Sequence, residues 1–434
     1  MMRELPASRS FRGEASRKPA HRRITSYSSK LVDHGLVVVA LGALVANTIF
    51  GTTTIAVFIV ASLTLLTLHP ADCARALMRF SPLLMLPLMA ILSALWSDAP
   101  QVTLRAGLQL MLTYVVTIVV CRRADVRLVI VALFAAFFLL CLTALPSVPG
   151  SFARGQPLVG LLGSKNALGF GAHFCLALAL AVICDSTQRL IARLVAVCAL
   201  LLTIVLIYLS HSAGAQTSTA LTFLFFPALV AFGRFKFSLR IAVAGAIILI
   251  VVLAVPFLTE LQTAFTEFRT GVLNKDATLT GRTYLWEFAS RLSAERPWFG
   301  YGYAAFWRKG NIDAEGLWRW AGIASRSGFN FHNAFVEMKV DLGLVGQAIL
   351  IATCIGITLT GLIRQMTRPS VPIAFFLALQ AVLYIRSFTE TGLIGPFSLM
   401  TVLWIAGAVY AMDPEGLARV RGSAEPQMVR TIHA

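Results

Sequence analysis

Residues 190–210 read LIARLVAVCALLLTIVLIYLS, an unbroken apolar stretch whose single charge, Arg193, sits near its start. A membrane-spanning helix needs about 20 predominantly apolar residues, and this stretch supplies them in one piece. Further runs of the same kind lie on both sides, near 34–50, 52–69, 80–96, 107–121, 127–144, 166–184, 216–233, 240–257, 334–363, 370–385 and 393–411. They predict an all-α, polytopic membrane bundle of about 12 transmembrane helices. Pro87 and Pro227 fall inside runs and are expected to kink them. Composition agrees. The chain is 57% hydrophobic and 13% charged, against about 25% charged for a soluble domain, so it lacks the polar groups to cover itself in water.

The expected organisation has five parts. Residues 1–33 form a disordered basic cytoplasmic tail, 34–257 hold spans one to nine, and 258–333 form a large extracytoplasmic loop with an amphipathic helix. Spans ten to twelve occupy 334–411, and 412–434 form a second cytoplasmic tail.

A net charge of +17 and a pI near 10.2 would suit a nucleic-acid binder, but the cations punctuate the ends of apolar runs, which is the pattern of headgroup contact. Nucleic acid is therefore not an expected partner; membrane lipid is. Loops after even-numbered runs, through the tenth, carry twelve cations: Arg75, Arg79, Arg122, Arg123, Arg127, Arg189, Arg193, Arg234, Lys236, Arg240, Arg364 and Arg368. Short loops after odd-numbered runs carry four, Arg105, Arg154, Lys165 and Arg386. The positive-inside bias then makes the even loops and both termini cytoplasmic. The seven cysteines are odd in number, lack a C-x-x-C and lie mostly in apolar runs; they read as small hydrophobes.

The four cations on the disfavoured side are either solvated or retained to hold an anion. Arg386 has Glu390 nearby in sequence, as an ion pair lining a cavity or serving packing alone. In the long polar segment, Tyr284, Leu285, Phe288 and Leu292 fall on one helical face. Arg282 would occupy that helix's first turn, an unfavourable place for a cation, which either a bound anion or bulk water would relieve. The aromatics of Pro297-Trp-Phe-Gly-Tyr-Gly-Tyr303, including Trp298 and Tyr301, fit an interfacial belt or stacking on sugar rings. His332 lies where the chain re-enters the membrane, and histidine is the side chain best suited to take a hydroxyl proton near neutral pH.

Taken in order, Ser93-Ala-Leu-Trp-Ser97, Arg105, Gly163-Ser-Lys-Asn-Ala-Leu-Gly169, Leu279-Thr-Gly-Arg-Thr283, Pro297–Gly302, Phe331-His-Asn333 and Asp341-Leu-Gly343 resemble the O-antigen ligase and polymerase superfamily, in particular its ExoQ-type exopolysaccharide polymerase branch. The resemblance implies a GT-C-like bundle in the bacterial inner membrane. It also implies transfer of a glycan from undecaprenyl pyrophosphate to a hydroxyl acceptor, without metal or cofactor. A polymerase uses a second undecaprenyl-pyrophosphate-linked repeat unit as acceptor; a ligase uses lipid A-core. Chain-length regulators and export proteins are implied partners. On this resemblance Arg282 holds the pyrophosphate and His332 activates the acceptor, with Arg105 and Lys165 as further phosphate contacts. Arg154, Arg386, Trp298 and Tyr301 are expected around the substrate. The family's basic or hydroxyl-rich motif after the seventh span reads Ser210-His-Ser-Ala-Gly-Ala-Gln-Thr217 here, leaving His211 either to replace a cation or to cap the span. A lipid-linked glycan flippase is the competing class, but the two halves of the chain differ in their long loops, unlike the repeats of many transporters.

Overall fold

The computed structural model describes residues 20–254 and 281–413, and no strand occurs among them. The first half contains α1 (Ala20–Phe50), α2 (Thr52–Leu68), α3 (Pro70–Arg79), α4 (Met85–Leu92), α5 (Pro100–Arg123), α6 (Val126–Leu142), α7 (Val148–Arg154) and α8 (Lys165–Cys184). It is followed by α9 (Leu190–Ser210), α10 (Ala213–Arg234), α11 (Phe237–Ala254), α12 (Arg282–Glu295), α13 (Ile312–Trp320), α14 (Ala334–Thr367), α15 (Val371–Ser387) and α16 (Leu399–Met412).

Every expected apolar run coincides with a helix, but length separates them. Among the described residues, seven helical stretches are long and apolar enough to cross a membrane, or eight if α2 and α3, bent by 105° at their junction, make one broken span. That is fewer full-length candidates than the twelve spans expected, and the remaining apolar runs form shorter helices. Prolines explain part of the shortfall. Pro82 and Pro87 lie in the run at 80–96, which breaks into two 3₁₀ turns around α4. Helices α15 and α16 hold only 17 and 14 residues. At the start of the chain, α1 begins at Ala20, inside the stretch expected to be a tail. Residues 1–19, 255–280 and 414–434, including Asp276, Leu279 and most of the second tail, lie outside the described residues.

Helices α12 and α13 and the loops around them form a cap with its own core. Leu285, Ala289, Leu292, Phe306, Leu317, Trp318, Phe331 and Val340 are buried together there. The apolar stripe of α12 is therefore Leu285, Ala289 and Leu292, whereas Tyr284 stays 43% exposed.

The cap is fastened to the bundle at a break in α14. Gly343 has φ 66°, outside the helical region, and the break frees peptide groups that need new partners. Residues 297–303 supply them. Tyr301 and Gly302 donate their N–H groups to the carbonyls of Val340 (3.0 Å) and Asp341 (2.8 Å), while Leu344 and Val345 donate to Pro297 (2.8 Å) and Trp298 (3.2 Å). A Cβ at Gly343 would overlap the Trp298 backbone, and one at Gly300 would overlap Val340. Both glycines also sit at positive φ, so close approach and conformation each require them. The same loop reaches further. Trp96 Nε1 donates to the Phe299 carbonyl (2.9 Å), the Tyr303 N–H to Ser93 Oγ (3.0 Å), and the Tyr303 hydroxyl to the Ile394 carbonyl (2.6 Å). The motifs at 93–97, 297–302 and 341–343 are thus one packed unit.

The opposite end of the bundle carries a charged network. Arg123, 8% exposed, bridges Asp33 of α1 (2.5 Å) and Asp72 of α3 (2.9 Å). His69 also contacts Asp33 (2.8 Å), and Arg122 binds Asp72 and Asp413 (each 3.0 Å). Arg79 reaches Asp413 as well (3.0 Å). Charges this buried persist only when paired. At the same end, Arg240 of α11 donates to the carbonyls of Gln365 and Met366 at the foot of α14.

Replacing Gly343 by Ala is expected to cost about 1–3 kcal/mol from backbone strain alone, with the Trp298 overlap adding to it. Purified in detergent, Gly343→Ala should melt lower and yield cap fragments to protease. Gly245→Ala, where nothing lies within 4 Å of an added Cβ, should match wild type. Equal melting of the two variants would contradict the clamp.

Candidate active site

Four charged or titratable side chains converge where the cap meets the bundle. Arg282 is the first residue of α12, His332 lies in the turn before α14, Arg386 is on the last turn of α15, and Glu390 follows in the next loop. The charges of Arg282 and Glu390 act on both His332 and Arg386.

Local hydrogen bonds fix His332. Phe331 is fully buried; its N–H donates to the Glu337 carboxylate (2.8 Å), and its carbonyl accepts from Trp286 Nε1 (2.8 Å). Asn330 Oδ1 accepts the His332 N–H (2.8 Å), and Asn333 Oδ1 caps α14 by accepting from Phe335 (3.0 Å) and Val336 (3.2 Å). With both flanks held, His332 adopts φ 52°, a left-handed conformation that costs a non-glycine residue about 1–3 kcal/mol. Phe329 meets the imidazole edge-on with ring centres 5.5 Å apart. Nδ1 is buried with no hydrogen-bond partner. Burial, followed by the Arg282 charge, pushes the imidazole below its ordinary value of 6.5, against a smaller opposing pull from Glu390. The ring is therefore neutral at neutral pH and has an uncommitted nitrogen to receive a proton.

Among the described residues, neither Arg282 nor Arg386 has a carboxylate within 4 Å, although the Glu390 charge acts on Arg386. Arg282 makes no hydrogen bond or ion pair among the described residues. Gly281 before it is left-handed at φ 78° and gives α12 no side-chain cap. The positive φ favours glycine there, and an added Cβ would stand 2.7 Å from the Trp320 ring. Arg386 is 7% exposed, and its guanidinium lies over the Phe170 ring, 3.2 Å from the centre. Its Nε has no partner, and Gly214 leaves room for Nη1, which would lie 3.5 Å from a Cβ there. The expected ion pair with Glu390 does not form within 4 Å. A buried cation without a counter-charge is costly and favours an incoming anion.

The elements that carry Lys165 and His211 meet near Phe170 and Arg386. Ser164 caps α8 by accepting from Ala167 (3.0 Å), and Asn166 Oδ1 accepts from Ser212 Oγ (2.9 Å). These bonds join the start of α8, with Lys165 exposed, to the turn between α9 and α10. His211 ends α9 in a left-handed conformation beside Tyr208, consistent with the capping role. Other expected residues lack a contact with the cluster. Arg105 is exposed, and Arg154 folds back onto the Gly150 carbonyl (3.0 Å) within α7. Tyr301 gives its hydroxyl to Glu295 (2.6 Å) and lies under Arg296. Trp298 borders a separate apolar groove of about 410 Å³ with Trp96, Arg296, Pro297, Phe299 and Gly300. Sequence reading missed Phe170, Trp286 and Glu337. Only Phe170 carried a signal, standing one position beyond the Gly163–Gly169 motif.

Residues 196–351, which contain Arg282 and His332, match the family model for O-Antigen ligase. That segment is similar to the O-antigen ligases. Consistent with it, the chain is 27% identical to the exopolysaccharide production protein ExoQ of Rhizobium meliloti (strain 1021), over 78% of this chain and 82% of that protein. The O-antigen ligase segment excludes Lys165, Arg386 and Glu390, so the cluster joins this segment to helices on either side of it.

The His332 shift has a measurable sign. Its midpoint, followed by NMR of the imidazole, should lie below 6.5. Arg282→Gln removes a charge that opposes protonation and should raise it; Glu390→Gln should lower it further. A midpoint unmoved by Arg282→Gln would separate the two side chains.

Proposed function

We propose that the protein polymerises undecaprenyl-pyrophosphate-linked oligosaccharide repeat units into exopolysaccharide at the outer face of the inner membrane. The observation that carries this reading is that Arg282, with no ion pair among the described residues, acts on both the neutral imidazole of His332 and the buried Arg386. The twelve-to-four bias of loop cations supports a topology with the termini cytoplasmic and the cap outside. Its full form has twelve passes, with the shorter helices crossing as well.

In this mechanism His332 takes the proton from an acceptor hydroxyl. The oxygen attacks the anomeric carbon of the donor glycan, and the bond from that carbon to the pyrophosphate oxygen breaks. The electron pair leaves with the polyprenyl pyrophosphate, whose growing negative charge is met by Arg282 and Arg386, with Lys165 and Arg105 as further phosphate contacts. Because the carrier is a membrane lipid, it reaches the site sideways from the bilayer. A second reading, ligation of the glycan onto lipid A-core, draws on the description of the matched family. The name of the exopolysaccharide relative favours polymerisation.

Purified protein in nanodiscs, given a defined undecaprenyl-pyrophosphate oligosaccharide alone, should build a ladder of longer lipid-linked products. His332→Ala should abolish it, and Arg282→Lys should reduce it by about 10²-fold or more because the bidentate fork is lost. A wild-type protein that extends nothing until lipid A-core is added would favour the ligase. An undiminished ladder from His332→Ala would remove the general base.

A further inference from the structure

Four large aromatics of the cap are exposed, Tyr284, Trp298, Phe299 and Trp320, and the first and last of them meet. Trp318 is 1% exposed and packs with Trp307, Phe306 and Phe331, yet Trp320, at the end of the same helix, is 48% exposed. Tyr284 is 43% exposed. The two are not loose on the surface: their rings stack with centres 4.7 Å apart at 40°, and Phe288 backs Tyr284 at 6.4 Å. Trp320 also rests on Gly281, where any side chain would displace it. The pair is thus built against the residue immediately before Arg282.

We propose that Trp320 and Tyr284 form a stacking platform for the glycan of the lipid-linked substrate, positioning its sugar next to the pyrophosphate held by Arg282. This rests on the reading of the site given above. The apolar C–H face of a pyranose packs on an aromatic face, and two ring side chains offer such area at little entropic cost. A sugar bonded to a phosphate on Arg282 has this pair as its aromatic neighbour. The surroundings suit a hydrated glycan better than lipid tails: Arg326 pairs with Glu315 (3.2 Å), and Arg291 with Glu287 (2.7 Å), beside the platform's own helices. This platform is distinct from Trp298, which borders another groove, and from Tyr301, which is hydrogen-bonded to Glu295.

The test compares affinity for undecaprenyl-pyrophosphate oligosaccharide with affinity for undecaprenyl pyrophosphate lacking sugar, measured by titration calorimetry on full-length protein in nanodiscs. Trp320→Ala and Tyr284→Ala should bind the glycan-bearing lipid roughly ten-fold more weakly and the sugar-free lipid as wild type does. Trp320→Phe, which keeps a ring over Gly281, should restore most of the loss and controls for folding. Arg282→Lys should weaken both lipids. Equal losses for both lipids in Trp320→Ala would show a packing or lipid-anchoring role and overturn the platform, as would unchanged affinity for the glycan-bearing lipid. If wild type builds its ladder while those affinities stay unchanged, only the platform fails. If wild type neither binds nor extends the glycan lipid, the parent reading falls and the platform with it.

Discussion

A broken helix must find partners for the peptide groups it releases, and the break at Gly343 finds four of them in one loop. Four reciprocal backbone bonds between 297–302 and 340–345 hold the cap on the bundle. The first turns of α14 beyond that joint carry Asn333 and Glu337, which fix the backbone around His332. The same loop ties Tyr303 to Ser93 before α5 and to Ile394 after α15, near Glu390. Placement of the imidazole, the capping helix and the Arg386 loop therefore descends from a single joint.

The two ends of the bundle treat the same residue type in opposite ways. At one end Arg79, Arg122 and Arg123 share Asp33, Asp72 and Asp413, so desolvation is offset by opposite charge. At the other, Arg386 is equally buried but faces an aromatic ring, and Arg282 stands at an uncapped helix start. An ion network holds helices together and leaves nothing for a ligand. Cations deprived of carboxylates have their interaction strength still to give.

Apolar runs are legible because twenty consecutive hydrophobic residues have few alternatives to a helix near lipid. Their lengths are less so, since Pro82 and Pro87 break a run that hydropathy reads as continuous. Arg282 and His332 stood out as isolated polar residues in a short motif, and the fold brings them into one neighbourhood. Trp298 and Tyr301 were attractive by residue type alone, yet the backbone around them serves the joint. Phe170 under Arg386, and Trp320 over Gly281, join residues far apart in the chain, and no spacing rule predicts such encounters. Asp33, counted with the tail, is instead a buried partner of Arg123.

The paired network also orders the protein's birth. Asp33 is made early, Asp72, Arg122 and Arg123 follow, and Asp413, which completes the set of counter-charges, comes only at the end of α16. While the ribosome is still making the middle of the chain, Arg79 and Arg122 lack that carboxylate. Opening helices and closing helix are joined by it only after nearly the whole polypeptide has been inserted, so this end of the bundle locks last.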